Sequence, residues 1–293
     1  MSPAGQVFSI GTNAFSDIIT NCEGTLDGRT LKISDLDLEF VATHAGSRGL
    51  RNPERQLVRH QLMEAFVRVS MTKYYKTGLC KTITDSVETM FIDHLLPYFQ
   101  TFDCHRWRTE RLWNEECDLV YKRLLKAFKR VYEKNTGRFA LPGAPKYMST
   151  DEFFDLVCAC DVVDEEFGQR EISILYNLSM FTQKNELDSD RHFNMTFNEF
   201  IEAVGRVSEK ISIVPLFEDL DESMEGSQVF GRKSKEHPLH KKIEALIFRM
   251  IRVSIPNAYA QCEKAVREFY ASQKNATKKT NFVVKGAPYQ GRF

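Results

Sequence analysis

Apolar residues recur at three- and four-residue spacing through most of the chain, the period of helices that bury one face. Residues 1–27 hold no sustained period and are expected to form an extension. The first periodic run is SDLDLEFVATHAG, with Ser34 as N-cap and Leu36, Phe40 and Val41 facing inward. LVRHQLMEAFVRVSMTKYY places Leu62, Phe66 and Val69 at i, i+4 and i+7, and TITDSVETMFIDHLLPYF forms a helix capped near Thr84 and stopped about Pro97. The amphipathic DLVYKRLLKAFKRVYEK points Leu124, Leu125, Phe128 and Val131 inward and Lys122, Lys126, Lys129 and Arg130 outward. NTGRFALPGAPKY is a loop. A helix follows at MSTDEFFDLVCAC, capped at Ser149 or Thr150, where Glu152 suits a capping box with Ser149. EFGQREISILYNLSMFT carries Ile174, Leu175, Leu178 and Phe181 as its stripe, and TFNEFIEAVGRVSEK is the next helix. Past Ser212 the texture turns acidic and Gly/Ser-containing, then returns to helix in LHKKIEALIFRMIRVSI, stopped by Pro256, and in AYAQCEKAVREFYASQ. The expected layout is an extension at 1–27, a helical domain at 28–212, a linker at 213–240, C-terminal helices at 241–272 and a basic tail at 273–293.

Composition changes this picture little. A chain of 293 residues with 42% hydrophobic and 27% charged residues is long enough for one large or two ordinary domains. No apolar run approaches the roughly 20 residues that span a bilayer, and the N-terminus lacks the charged and apolar regions of a secretory signal, so a cytoplasmic, non-membrane location is expected. The seven Cys show no C-x-x-C pair and read as reduced thiols. Net charge is zero but uneven: residues 231–293 hold fourteen Lys or Arg against four Glu and no Asp. A basic C-terminal part points to an acidic partner surface.

The sequence also repeats. RHQLMEAFVRVS at 59–70 and FNEFIEAVGRVS at 197–208 share Glu64/Glu202, Ala65/Ala203, Arg68/Arg206, Val69/Val207 and Ser70/Ser208. MSTDEFFDLV opens in the same way, and in all three an apolar residue (Leu57, Met148, Met195) stands four positions before Gln61, Glu152 or Glu199. That spacing is the end of an EF-hand loop, where the apolar residue pairs neighbouring loops and a Glu at position 12 is the last calcium ligand. Counting back from Glu199 gives Asp188 at position 1, Asp190 at 3, His192 at 5, Phe193 at 6, Asn194 at 7 and Thr196 at 9. Phe stands where the loop's sharp turn needs Gly. Counting back from Glu152 gives Leu141, Gly143 and Pro145, none of them a carboxylate. Asp188, Asp190, Asn194 and Glu199 are the weak calcium candidates; otherwise no cofactor is expected. The competing reading makes Glu152 and Glu199 helix-start residues that serve caps and the helix dipole. The fold class expected is all-α, built of degenerate EF-hand-like helix–loop–helix pairs with extended terminal segments.

The succession NPERQLVRHQLMEAFVRVSMTKYY, LPGAPKYMSTDEFFDLV and FGQREISILYNLSMFTQKNELDSDRHFNMTFNEFIEAVGRVSEK resembles a family of protist EF-hand-like proteins of cilia and flagella. The resemblance covers about residues 30–210. It implies a structural component of the axoneme that binds doublet microtubules, at the outer surface or in the lumen, with tubulin and neighbouring axonemal proteins as partners. It supplies no catalytic residue.

The residues themselves show no phosphate loop, H-E-x-x-H or G-x-S-x-G, and the seven His are scattered, so no enzymatic role is expected. The stretch from His105 to Trp113 could stack bases, but its Arg residues alternate with Glu, and Trp107 and Trp113 suit packing on a neighbouring helix, which disfavours nucleic acid. In the tail, Lys274, Lys278, Lys279, Lys285 and Arg292 with the aromatic Phe282, Tyr289 and Phe293 are the candidate partner-binding residues. The alternative function is a cytosolic calcium-binding sensor or adaptor, which needs a loop that binds calcium and opens a helix pair.

Overall fold

A computed structural model describes residues 8–46, 53–100, 104–138, 140–180, 191–215 and 237–284. The chain is mostly helical, with twelve α-helical segments and one two-stranded sheet among the described residues. It divides into two compact units, one of residues 1–109 with 169–192 and one of 110–168 with 193–293.

The first unit begins with β1 (Ser9–Gly11), whose Ile10 pairs antiparallel with Leu57 of β2 (Gln56–Val58). Each strand leads into a helix, β1 into α1 (Thr12–Asn21) and β2 into α3 (Arg59–Ser70), while α2 (Ile33–Gly46) precedes β2. Phe15 and Ile19 of α1 are fully buried, so part of the expected N-terminal extension is core. Phe15 lies 5.8 Å from Phe40 and 6.2 Å from Phe66 between ring centroids. On α2 the inner face is Leu36, Phe40 and Thr43, whereas Val41, expected inside, is exposed.

Helix α3 continues through a π-helical turn, Met71–Tyr75. Next come α4 (Ile83–Met90), a second π-helical turn (Phe91–Leu95) and α5 (Leu96–Phe99). Pro97 therefore does not stop this helix; it sits in the first turn of α5, where a missing N–H costs least. The cap is Thr82, whose hydroxyl accepts the Asp85 N–H at 3.0 Å. Met90 and Leu95 complete the core of Phe15, Phe40, Leu57 and Phe66. Both π-helical turns grip the α1–α2 connection. Lys73 donates to the carbonyls of Gly24 and Thr25, and His94 bonds Glu23 O at 2.6 Å through Nδ1 and Tyr74 Oη at 2.5 Å through Nε2. Helix α9 (Gln169–Ser179) also belongs to this unit and buries Ile172, Leu175 and Tyr176. Leu178 of its expected stripe is exposed, and Phe181 lies outside the described residues.

The second unit follows α6 (Cys104–Trp107) and a π-helical turn (Arg108–Leu112). It contains α7 (Glu115–Lys134), α8 (Thr150–Ala159), α10 (Phe197–Lys210), α11 (Leu239–Ser254) and α12 (Pro256–Val284). Met148 and Met195, each just ahead of a helix, form an antiparallel bridge with N–H to O distances of 3.0 and 2.9 Å. Phe128 stacks on Phe200 at 4.9 Å, and Tyr132 and Phe153 close around the same ring. Tyr121 and Tyr132 spend their hydroxyls on the carbonyls of Ile201 and Met195. Leu125 and Trp113, expected to pack, are exposed.

Helix α11 is the centre of this unit, in contact with α7, α8, α10 and α12. It is buried nearly all round, from Leu239 through Ile243, Leu246, Phe248 and Ile251 to Ser254. Basic side chains tie its surroundings at helix C-termini, where unpaired carbonyls attract cations. Lys242 donates to Glu209 O at the end of α10, Arg249 to Asp161 O beyond α8, and Lys134 to Ser254 O at the end of α11 itself. Helix α12 runs to Val284, so Lys274, Lys278, Lys279 and Phe282, expected in a structureless tail, lie on a helical backbone.

Candidate functional site

The residues singled out by the repeat share one structural task. At the start of α8, Glu152 Oε2 accepts the Ser149 N–H at 2.8 Å and the Ser149 hydroxyl at 3.0 Å, while Ser149 Oγ accepts the Glu152 N–H. Its other oxygen accepts the Arg138 N–H at 2.6 Å. At the start of α10, Glu199 Oε2 accepts the Thr196 N–H and hydroxyl, both at 2.7 Å. At the start of α3, Gln61 Oε1 accepts the Val58 N–H at 3.1 Å. These are the reach-back halves of capping boxes, and they satisfy donors that a helix start leaves orphaned. All three side chains are buried.

The remaining shared positions are also structural. Glu202 and Arg206 form a buried i, i+4 ion pair at 2.8 Å, and Glu64 and Arg68 form the half-exposed equivalent. Ser70 and Ser208 each donate back to the carbonyl four residues earlier. The bridge position has a fourth member outside the sequence repeat, Ile10. It precedes Gly11 and Ala14, which offer neither a capping side chain nor a carboxylate, so only the local order apolar residue, turn, helix could have marked it.

Of the calcium candidates, Asp188 and Asp190 lie outside the described residues. Asn194 and Glu199 are in place, Asn194 immediately before the Met195 bridge. Among the described residues no group of three or more His, Cys, Asp or Glu is placed to hold a metal ion. Of the partner-binding candidates, Lys285, Tyr289, Arg292 and Phe293 also lie outside the described residues.

A hollow of about 460 Å³ opens beside Glu152, lined by Lys134, Arg138, Asp155, Leu156 and Val253. Its charges are already matched: Arg138 pairs with Asp155 at 2.9 Å and Lys134 with the Ser254 carbonyl. A buried, perturbed carboxyl lies elsewhere. Burial raises the Glu244 pKa above the ordinary carboxylate value, against the opposing effects of Arg123 at 2.9 Å and the Tyr270 hydroxyl at 3.0 Å. Arg123 also lies over the Phe269 ring, 4.0 Å from its centroid. Burial pushes Tyr270 up to about 12 and the thiols of Cys160 and Cys117 to about 12 and 11. Arg123, Glu244, Phe269 and Tyr270 join α7, α11 and α12, where they hold helices together.

No protein-family model, curated protein or solved structure matches the chain. No helix among the described residues is long and apolar enough to cross a membrane.

Proposed function

We propose that both units are EF-hand-like pairs kept as packing scaffolds without calcium, and that the chain is a non-catalytic structural component of a ciliary or flagellar axoneme. In this reading helical surfaces and terminal segments bind doublet microtubules and neighbouring proteins. The observation that carries the scaffold reading is the use of Gln61, Glu152 and Glu199. Each loop-end side chain accepts the backbone N–H of its own helix cap, and Glu152 spends both oxygens on protein donors. A bidentate calcium ligand would have to give up such bonds.

Helix packing supports the same reading. In a calcium sensor the helix pair opens to expose a groove for a partner helix. Here α4 packs beside α3 in the first unit, and α11 lies against α7, α8 and α10 in the second. In this reading the chain's own helices take the place of a sensor's target. The axonemal assignment rests on the resemblance of residues 30–210.

Two experiments test the two parts. Tagged protein is expected to localise to the axoneme and resist detergent and moderate salt; cytosolic distribution overturns the axonemal assignment. Calorimetry on the full chain is expected to show no calcium binding at millimolar calcium, and saturable heat at micromolar calcium would restore the sensor.

A further inference from the structure

We propose that the solvent face of α7 is a docking site for a short acidic polypeptide segment. Lys122, Lys126, Lys129 and Arg130 are all exposed, and no carboxylate stands between Leu119 and Tyr132. Lys122 is engaged by Asp118 at 2.6 Å. Lys126, Lys129 and Arg130 have no hydrogen bond or ion pair among the described residues.

The ordinary reading of such residues is the wetted side of an amphipathic helix. Some other helix surfaces of this chain argue for more, because several of their cations are matched one turn away. Arg68 pairs with Glu64, Arg267 with Glu263, and Lys264 with Glu268. On α7 the pattern fails for three consecutive cations. On the neighbouring α12 the pairs take up Lys264 and Arg267, while Lys274, Lys278 and Lys279 add further cations along that helix.

The shape of the patch selects the occupant. From residue 122 to 130 the helix rises about 12 Å, and the window is bounded by Glu115, Glu116 and Asp118 at one end and Glu133 at the other. A nucleic acid or an anionic lipid surface carries charge past both ends and would bring phosphates against those carboxylates. A short run of Glu or Asp fits between them. Leu119 and Leu125, each 42% exposed, border the patch and offer apolar contact to a polypeptide side chain. The inference deepens the scaffold reading by naming a surface through which it would hold a partner. Its assay uses no microtubules, so its failure leaves the localisation test standing.

The test is fluorescence anisotropy of the full-length protein with a labelled Glu-rich peptide, a DNA duplex and anionic vesicles in parallel. The triple variant Lys126→Glu, Lys129→Glu, Arg130→Glu removes side chains with no hydrogen bond or ion pair among the described residues and should melt like the parent. A charge-matched control carries Lys32→Glu, Lys81→Glu and Arg252→Glu. The parent and control are expected to bind the peptide alike, and the window variant at least about tenfold more weakly, the loss diminishing as salt rises. Absence of saturable peptide binding by the parent, equal loss in both variants, or stronger window-dependent binding of DNA or vesicles would each overturn the proposal.

Discussion

Glu199→Ala separates a capping residue from a calcium ligand, because the two roles predict opposite behaviour in chelator. In the structure the substitution strands the Thr196 N–H and hydroxyl, both bonded to Glu199 Oε2 at 2.7 Å, at a side chain with 0% exposure. Loss of a helix cap costs about 1 kcal/mol, and a buried donor without a partner adds about 1–3 kcal/mol. Allowing for overlap between these, the expected loss is about 2–3 kcal/mol, or roughly 5–10 °C in the transition of the second unit. Glu199→Gln keeps an acceptor oxygen in place and should cost less than about 1 kcal/mol. The assay is thermal and urea unfolding of the full chain by far-ultraviolet circular dichroism, with EDTA and then with calcium. A ligand role makes the opposite prediction. The alanine variant would match the parent in EDTA, and calcium would stabilise only the parent, by about 2.7 kcal/mol at a hundredfold excess over Kd. That outcome would refute the capping argument.

Further predictions test the packing around α10, α11 and the cysteines. A Cβ at Gly205 would fall 2.6 Å from Leu112 Cδ1 and 3.2 Å from Tyr121 Oη, so Gly205→Val should lose about 2 kcal/mol by overpacking. Leu112→Ala in the same chain should return part of that loss, giving a non-additive double-mutant cycle in urea unfolding. The raised pKa values keep Cys117 and Cys160 protonated at pH 8, so a thiol reagent should modify them only at the rate of unfolding. Glu244 binds its proton more tightly folded than unfolded, so its contribution to stability is full below the unfolded carboxyl range and falls as pH rises through the raised folded value. Glu244→Gln should therefore flatten the pH dependence of urea stability just above the ordinary Glu pKa of about 4.3, and an unchanged profile would show that the carboxyl is not perturbed.

Much of the helical layout was legible because amphipathic period and caps are local. The stripe of Phe66 and Val69, the capping box of Ser149 with Glu152 and the break at Pro256 follow from neighbours within one or two turns. Periodicity misled where both faces of a helix are apolar. On α2, Leu36 and Val41 are equivalent in hydropathy, and contact with α1 and α3 decides that Leu36 is buried and Val41 is not. Leu125 of α7 and Leu178 of α9, also expected inside, are exposed as well.

The sequence by itself determined that the chain is helical, that two of its segments match, and that an apolar residue recurs four positions before Gln61, Glu152 and Glu199 at three helix starts. These are properties of residue type at fixed spacing, and short-range hydrogen bonds and side-chain period express them directly. Tertiary structure decided the rest. Ile10 became a bridge partner only through Leu57, 47 residues away, a pairing that no local period encodes. Helix α11 reads in isolation as one more helix after a linker, yet it is buried nearly all round, because α7, α8, α10 and α12 enclose it. The cations of α7 look like any solvated helix face until the structure shows which of them carboxylates neutralise. Long-range contact decides each of these, since burial and charge compensation depend on what the rest of the chain brings alongside.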